Sequence, residues 1–387
     1  MADTIHQDKR NAKGGGSVRQ REDGRWEARC TIAGKRRSFY ADTQKEVLKQ
    51  MRQAQKSGDE GTFVEPSRLT VGQWVDIWLE EYYKQTVKRS TYVNQKAYIE
   101  RYIKPQLGYI KLQALTPTHI QAFYNQLNKR LSATTTRHCH ATLHYSLEQA
   151  VELKYISVNP SSACKLPAKE KKEMHPLTEE ELRNFLQAVE DEPLPSPYKD
   201  IFLVTLFTGM RRGEVLGLPW DAVDFKNGTV TVKQQLQTTL QRGEQPYIST
   251  PKSNKSRTLT PAPFVMDILQ RVRQEQFKNH LAVGLGWKND WNLVFTRADG
   301  KYINENMLHT YFKRVCTKIG CPDFRFHDLR HTYAVTALQE GDNPKTVQEA
   351  LGHATAAFTL NVYAHVSEKM KKDSADRLQN YYEKMKA

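Results

Sequence analysis

The hydrophobic positions near the start of the chain follow the two-residue period of a β-sheet. Apolar and polar residues alternate from Trp26 to Ile32, which predicts a strand with one buried face. "EDGR" before this segment and "AGKR" after it are typical of hairpin turns, so they predict two further strands. The next segment, "TQKEVLKQMRQAQKSG", changes to helical spacing, and its Val47, Leu48 and Met51 are predicted to cover the sheet.

From Leu69 to Leu166 the apolar positions recur at helical spacing throughout. Thr70, Ser90 and Thr116 each precede such a run. They are predicted to cap the helices that follow, because a side-chain hydroxyl can accept hydrogen bonds from the free N–H groups of a first turn. The pattern predicts a compact unit of four helices.

Residues 176–387 mix helical patterns with three short strand-like segments, "GTVTVKQQLQ", "QPYIST" and "SRTLTP". Thr178 followed by Glu181 has the spacing of a capping box. Asn343 and Pro344 are predicted to begin a helix that Gly352 ends. The predicted fold class is therefore multidomain, mainly α with small β-sheets.

The charge balance indicates what kind of partner the chain binds. Its 387 residues include 58 Lys+Arg against 43 Asp+Glu, a net charge of +15, and such an excess favours a polyanion such as nucleic acid. Arg19, Arg21, Arg29 and Arg36 are predicted to lie on the open face of the N-terminal sheet, which could enter a DNA major groove. The alternative is a sheet whose charged face is merely solvated.

Cysteine usage and hydropathy indicate the compartment. The five cysteines form no CxxC pair and are odd in number, which favours reduced thiols over a disulfide framework. No run approaches 18 apolar residues, and the N-terminus has no apolar signal segment. We expect a cytoplasmic protein with no membrane partner, associated with the nucleoid when it is bound to DNA.

Four stretches carry residues suited to phosphate chemistry. In chain order they are "TGMRRGE", "TPKSNKSR", "HDLRH" and "LGHATAAFTLNVYAH". Each has an ordinary explanation when taken singly, such as exposed charges or a capped helix end. Their joint appearance in this order resembles the tyrosine recombinases, specifically integrases of phages and conjugative transposons.

This resemblance covers nearly the whole chain, and it implies a set of site residues. It implies that the catalytic residues are Arg211, Lys252, His327, Arg330, His353 and Tyr363, with Glu214 as a supporting acid. Tyr363 lies ten residues after His353, a spacing that family members use. All the expected positions are filled.

The chemistry needs these residue types because a phosphodiester is anionic and gains charge in its transition state. Arg211 and Arg330 can each present a planar fork of donors to the phosphate oxygens. Tyr363 would attack phosphorus and hold the DNA end as a phosphotyrosine. The resemblance implies that Lys252 protonates the departing oxygen, while His327 and His353 donate hydrogen bonds. No cofactor is expected.

The histidine pair of "HDLRH" has a second interpretation as a metal site. His327 and His331 are four residues apart and would share a helix face, as zinc ligands do. Arg330 would place a fixed positive charge beside the ion, and no third ligand is evident nearby. We therefore expect no metal there, and His331 is predicted to pack against its own helix.

The resemblance also implies an organisation and a set of partners. The predicted domains are a flexible leader (1–16), an arm-type DNA-binding sheet with its helix (17–63), a core-binding helical domain (68–166), a linker (167–175) and a mostly α catalytic domain (176–387). The implied partners are double-stranded DNA with core-type and arm-type attachment sites, three further copies in a homotetramer, an excisionase and DNA-bending proteins.

Three alternative functions compete with integration and excision of a mobile element. A recombinase that resolves dimers lacks an arm-binding domain, and the extra sheet argues against it. A non-catalytic DNA-binding protein would not need the complete catalytic set. A metallohydrolase would lose its activity on addition of a chelator.

The last 21 residues predict an amphipathic helix. Met370, Ser374, Leu378, Tyr381 and Met385 recur at spacings of three and four and form one mildly apolar stripe. The stripe is predicted to dock on a neighbouring protomer, and packing on its own domain is the alternative.

Overall fold

A computed structural model describes residues 16–32, 34–169, 176–238, 245–252, 254–352 and 367–386. The chain divides into two compact units, Met1–Lys171 and Lys172–Ala387. The finer division into five segments remains a prediction.

The first unit begins with the predicted three-stranded antiparallel sheet and its helix. The strands are β1 (Ser17–Gln20), β2 (Trp26–Ile32) and β3 (Lys35–Ala41), in the order β1-β2-β3. Helix α1 (Gln44–Asp59) is capped by Thr43. Alternate residues of β2 are buried against Val47 and Met51 of this helix, as the pattern predicted.

The rest of the first unit is helical. Its helices are α2 (Val71–Ile77), α3 (Arg89–Tyr98), α4 (Lys104–Leu107), α5 (Pro117–Asn128) and α6 (Ala133–Glu152). The π-helical turns Trp78–Tyr83 and Ile99–Ile103 continue α2 and join α3 to α4. Short 3₁₀ turns cover Leu112–Ala114 and Pro160–Ala163. The core includes Trp74, whose indole Nε1 donates to the Ser146 carbonyl at 2.8 Å.

Two of the three predicted caps of this unit are confirmed. Thr70 and Thr116 each accept a hydrogen bond from the backbone N–H three residues later, within capping boxes. The prediction for Ser90 was wrong. Helix α3 already begins at Arg89, because the last extended residue is Lys88, so Ser90 lies inside the first turn.

The second unit is mixed and mostly helical. Its helices are α7 (Glu179–Asp191), α8 (Tyr198–Thr208), α9 (Arg212–Leu216), α10 (Pro263–Val283), α11 (Glu305–Lys318), α12 (Phe326–Gln339), α13 (Pro344–Leu351) and α14 (Ser367–Lys386). Its strands are β4 (Val223–Asp224), β5 (Thr229–Val232), β6 (Gln235–Gln237), β7 (Tyr247–Ser249) and β8 (Arg257–Leu259). Short 3₁₀ turns cover Trp220–Ala222 and Gly284–Gly286. The strands form one sheet of order β4-β5-β8 and one β6-β7 pair.

The predicted helix boundaries of this unit agree with the structure. Thr178 and Glu181 form the capping box of α7. Asn343 caps α13, and Gly352 ends it in the left-handed conformation, with φ of 63°. Within the described ranges of the chain, no helix is both long and apolar enough to span a lipid bilayer.

Two glycines let α9 lie directly on strand β6. A Cβ atom at Gly217 would lie 2.4 Å from the backbone nitrogen of Leu236, and one at Gly213 would lie 2.9 Å from the Leu236 carbonyl oxygen. A side chain at either position would therefore push the helix away from the strand. Because Arg211 is the residue just before α9, this close packing determines where its guanidinium group lies.

Gly217→Ala should lower the free energy of unfolding by about 1–3 kcal/mol, because the new methyl group meets backbone atoms that cannot rotate away. Urea denaturation of the full-length protein measures the change. Gly286→Ala is the matched control, since the nearest atom to its Cβ is a Val283 methyl carbon at 3.4 Å. Equal effects of the two substitutions would contradict the close-packing explanation.

Candidate active site

The site is built around the N-terminus of α9, where Arg211 and Glu214 bind each other. The backbone nitrogen of Arg211 donates to Glu214 Oε2 at 2.8 Å, and its Nη1 donates to Glu214 Oε1 at 2.7 Å. The Glu214 side chain is completely buried. The three-residue spacing in "RRGE" thus places the arginine as the helix cap and the acid as its partner one turn later.

A third residue, Arg257 at the start of β8, binds the same carboxylate. Its Nη1 and Nη2 donate to Glu214 Oε1 and Oε2 at 3.0 and 2.6 Å, which is a bidentate arrangement. Burial alone would raise the pKa of Glu214, but the hydrogen bonds and positive charge of Arg257, together with Arg211, lower it to about 2. Glu214 is therefore ionised at neutral pH.

Arg330 approaches from α12 and is 2% exposed. Its Nη1 donates to the Gly209 carbonyl at 2.6 Å, and its Nη2 donates to the Leu351 carbonyl at 2.5 Å. Burial and the nearby charge of Arg211 lower the pKa of Arg330 to about 9, so the guanidinium remains protonated at pH 7. Gly209 has φ of 63°, and a Cβ there would lie 2.5 Å from the Tyr333 ring.

The C-terminal end of α13 binds all three guanidinium groups. The carbonyl of Ala350 accepts from Arg257 Nε at 2.6 Å, that of Leu351 accepts from Arg330, and that of Gly352 accepts from Arg211 Nη2 at a longer 3.4 Å. Such carbonyls have no partner within the helix and carry its negative partial charge, so they suit cations. This turn holds together side chains that come from α9, β8 and α12.

His327 lies on the first turn of α12, and it lines a cleft of about 340 Å³ together with Arg211. The residue is exposed to solvent at this cleft, although neighbouring protein partly shields its ring from water. That partial burial, together with the positive charges of Arg330 and Arg211, lowers the pKa of His327 to about 4. The ring is neutral at pH 7, and it can donate a hydrogen bond without carrying a charge.

The neighbour of His327 on the same helix face is His331, as the spacing predicted. The two rings are perpendicular, with centroids 4.9 Å apart. His331 is buried, and this burial lowers its pKa. Among the residues that the structure describes, no group of three or more His, Cys, Asp or Glu side chains could hold a metal ion.

Lys252 lies on the exposed loop between β7 and β8, five residues before Arg257. One end of this loop is held by Gln235, whose Nε2 donates to the Thr250 carbonyl at 2.7 Å. The structure brings Arg211, Glu214, His327 and Arg330 together, whereas it places Lys252 at the surface of this loop. His353 and Tyr363 lie outside the described residues.

Two of the four arginines predicted for the N-terminal sheet, Arg19 and Arg29, bind a buried glutamate. Glu27 of β2 is 1% exposed and accepts hydrogen bonds from Arg19 Nε at 2.7 Å, Arg29 Nε at 2.8 Å and the Tyr40 hydroxyl at 3.1 Å. Burial would raise the pKa of Glu27, but these hydrogen bonds lower it to about 2.

The other two predicted arginines of the sheet do not bind this glutamate. Arg21 lies 5.5 Å from the centre of the Tyr40 ring, and Arg36 is exposed opposite Thr31 in the register of β2 and β3. Because strand residues two apart share a face, Arg19, Arg29 and Arg36 lie on the face opposite α1.

The arrangement in the second unit suits the binding of one phosphodiester. Three guanidinium charges against one carboxylate leave a net charge of +2 around Arg211 and Arg330. Sequence reasoning missed Arg257 and Glu27 as site residues. The one signal for Arg257 was its position at the end of the cationic stretch "TPKSNKSR", and for Glu27 it was an acid in the middle of an arginine-rich face.

Comparison with known proteins identifies relatives over most of the chain. Residues 175–370 match the model described as "Phage integrase family", and residues 70–128 match "Phage integrase, N-terminal SAM-like domain". A "Tyrosine recombinase XerC-like" protein of Caldanaerobacter subterraneus subsp. tengcongensis is 29% identical over 90% of this chain and 92% of its own. The ICEBs1 integrase of Bacillus subtilis is 25% identical over 75% of this chain and 78% of its own.

Solved structures show the same fold. The Tn1549 transposon integrase in complex with a circular intermediate DNA has a TM-score of 0.67 and 22% identity, and the match covers 80% of this chain and 99% of that one. A lambda integrase tetramer bound to a Holliday junction has a TM-score of 0.60 and 17% identity, with 89% and 94% covered. The predicted fold class is therefore confirmed.

An NMR titration of labelled histidines should give His327 a pKa of about 4, well below the ordinary value of about 6.5. His327→Gln identifies its resonances. Because the unfolded chain binds this proton more readily than the folded one, His327 should lower stability as the pH falls from about 6.5 towards 4. A measured pKa near 6.5 would show that neither partial burial nor the charge of Arg330 lowers the pKa of this ring.

Proposed function

This chain belongs to the phage integrase family and is a tyrosine-type site-specific DNA recombinase, and we propose that it integrates and excises a mobile element by cutting DNA through Tyr363. The relatives that support this role include a transposon integrase and the ICEBs1 integrase. The proposed intermediate is a 3′-phosphotyrosine.

The observation that carries the proposal is the meeting of Arg211 and Arg330 at one turn. Both guanidinium groups bind carbonyls at the end of α13, and the buried Arg330 remains protonated at neutral pH. Donors held in place before the reaction stabilise a phosphorane-like transition state without having to reorganise. A basic surface that only binds DNA would not need buried arginines, since binding is served by exposed ones.

The proposed reaction exchanges one phosphate ester for another. The phenolic oxygen of Tyr363 bonds to the scissile phosphorus while the bond from phosphorus to the 5′ oxygen breaks. Lys252 gives a proton to the departing 5′ oxygen, and the neutral His327 ring and His353 donate hydrogen bonds to the phosphate. Reversal by a different 5′ hydroxyl joins new DNA partners and releases the tyrosine.

Assembly is proposed to involve four copies on two DNA duplexes. The lambda integrase neighbour is a tetramer bound to a Holliday junction. On α14, the predicted stripe residues Leu378, Tyr381 and Met385 are exposed, which leaves them available to a neighbouring protomer. The side chains of Met370 and Ser374 lie outside the described part of the chain. An excisionase and DNA-bending proteins are further proposed partners.

The N-terminal sheet is proposed to bind arm-type DNA, separately from the core-type site. Its open face carries Arg19, Arg21, Arg29 and Arg36, of which Arg36 projects from an exposed position. Glu27 holds Arg19 and Arg29 in defined positions, and this favours donors aimed at base edges over a loose cationic surface.

Tyr363→Phe should bind attachment-site DNA normally but form no covalent complex, because only the attacking oxygen is removed. The measurement is capture of covalent protein–DNA on suicide substrates made from the ends of the mobile element, with a gel shift as the binding control. Tyr333→Phe is the matched variant, since this tyrosine packs on Gly209 in the same unit, and it should still become covalently attached. Covalent DNA on Tyr363→Phe would move the nucleophile elsewhere.

Arg21→Gln/Arg36→Gln should weaken binding to arm-type DNA and reduce the slope of log K against log salt by about 2, one unit for each lost phosphate contact. Cleavage of the core-type site should be unchanged. Lys45→Gln/Lys49→Gln is the matched control, because these exposed lysines lie on α1, which covers the other face of the sheet. Equal losses in the two double variants would contradict recognition by the open face.

A further inference from the structure

Arg257 is the buried cation of the site to which no role has yet been given. Its side chain is 9% exposed, and three of its donor atoms bind protein acceptors. Two of these bonds close a planar fork on Glu214, and the third reaches the Ala350 carbonyl. Three of its five N–H groups already bind protein acceptors, so we argue its role from these partners.

The first partner is the Arg211–Glu214 pair. Glu214 accepts four hydrogen bonds from described residues, two from Arg211 and two from Arg257. A carboxylate offers about four acceptor positions, and these four hydrogen bonds fill them. Arg257 thereby fixes the carboxylate that in turn fixes the Arg211 guanidinium group.

The second partner is the turn that ends α13. Arg257 Nε binds the Ala350 carbonyl, while the neighbouring carbonyls of Leu351 and Gly352 bind Arg330 and Arg211. A Cβ atom at Gly352 would lie 3.1 Å from Arg257 Cδ, so the backbone passes directly over this side chain. Arg257 therefore contacts the supports of both arginines that are proposed to bind phosphate.

We infer that Arg257 is a positioning residue, which aims Arg211 and Arg330 at the scissile phosphate without touching DNA itself. The inference rests on the proposed function. Lysine cannot replace this arginine, because a single ammonium group cannot bind both carboxylate oxygens in a plane and the Ala350 carbonyl as well. In metal sites, loss of a group that orients a ligand typically reduces activity by about 10- to 100-fold, and we expect a loss of the same order here.

The experiment compares Arg257→Lys with the wild type on three suicide substrates. One carries the ordinary scissile phosphate, one carries a methylphosphonate, which lacks the negative charge that arginines neutralise, and one carries a 5′-bridging sulfur, which leaves without needing a proton. Arg271→Lys is the matched control, since Arg271 pairs with the buried Asp200 and does not line the cleft.

We expect Arg257→Lys to cleave the ordinary phosphate about 10- to 100-fold more slowly than the wild type, with DNA binding retained. The difference in cleavage rate between the variant and the wild type should be smaller on the methylphosphonate, because less charge must then be neutralised. It should remain on the bridging-sulfur substrate. Arg271→Lys should show no such dependence on the substrate. A smaller folded fraction would lower the cleavage rate of all three substrates by the same factor. Comparing the substrates within one preparation therefore separates an effect on positioning from an effect on folding.

Three results would overturn the inference: wild-type rates on the ordinary phosphate, an equal deficit on all three substrates, or rescue by the bridging sulfur alone. The last result would mean that Arg257 acts through the Lys252 loop, on protonation of the departing oxygen. If Arg257→Lys does not fold, Arg257→Gln combined with Glu214→Gln serves instead. Their losses should be less than additive, because both act on one contact, and additive losses would overturn the inference. Failure of the wild type to cleave any substrate would instead refute the proposed function.

Discussion

The buried carboxylate of Glu214 is the constraint on which the catalytic unit depends. Removing an ionised carboxylate from water costs several kcal/mol, and only close cations with good geometry offset that cost. Arg211 and Arg257 supply those cations and fill the acceptor positions of the carboxylate. Loss of either arginine would leave the buried carboxylate with a single cation, and removal of one partner from a buried ion pair typically costs about 3–5 kcal/mol. The need to offset this buried charge therefore also holds the two arginines in place.

The backbone turn after α13 positions three arginines through hydrogen bonds, just as Glu214 positions two of them. Helix C-termini have unpaired carbonyls, and here three consecutive ones accept hydrogen bonds from guanidinium groups of different elements. The arrangement requires Gly352 in the left-handed conformation, because any side chain would meet Arg257. In sequence, His353 and the proposed nucleophile Tyr363 follow Gly352 by one and eleven residues.

Capping residues and apolar spacing predicted local structure well, but the sequence did not predict contacts between distant segments. The capping boxes at Thr70 and Thr178 depend on residues three apart, which a sequence displays directly. The Ser90 cap was wrong because the helix already begins at Arg89, after the extended Lys88, and no side chain caps this start. Arg257 lies 43 residues from Glu214, and no periodicity connects them. The signs of the charges alone allow many pairings of arginines with acids, and tertiary packing determines which one forms.

Two buried glutamates have arginine partners that differ in their exposure to solvent. Glu27 and Glu214 each accept hydrogen bonds from two arginines, and both have a pKa of about 2. On the N-terminal sheet the Arg19 side chain is 63% exposed, whereas Arg257 is 9% exposed. An exposed arginine keeps free donors that can adapt to base edges and phosphates, which suits recognition of DNA sequence. A buried arginine has little freedom to move, which suits it to hold neighbouring groups in fixed positions. The two surroundings thus leave the same pair of residue types with different freedom, which fits the recognition role proposed for the N-terminal sheet and the positioning role inferred for Arg257.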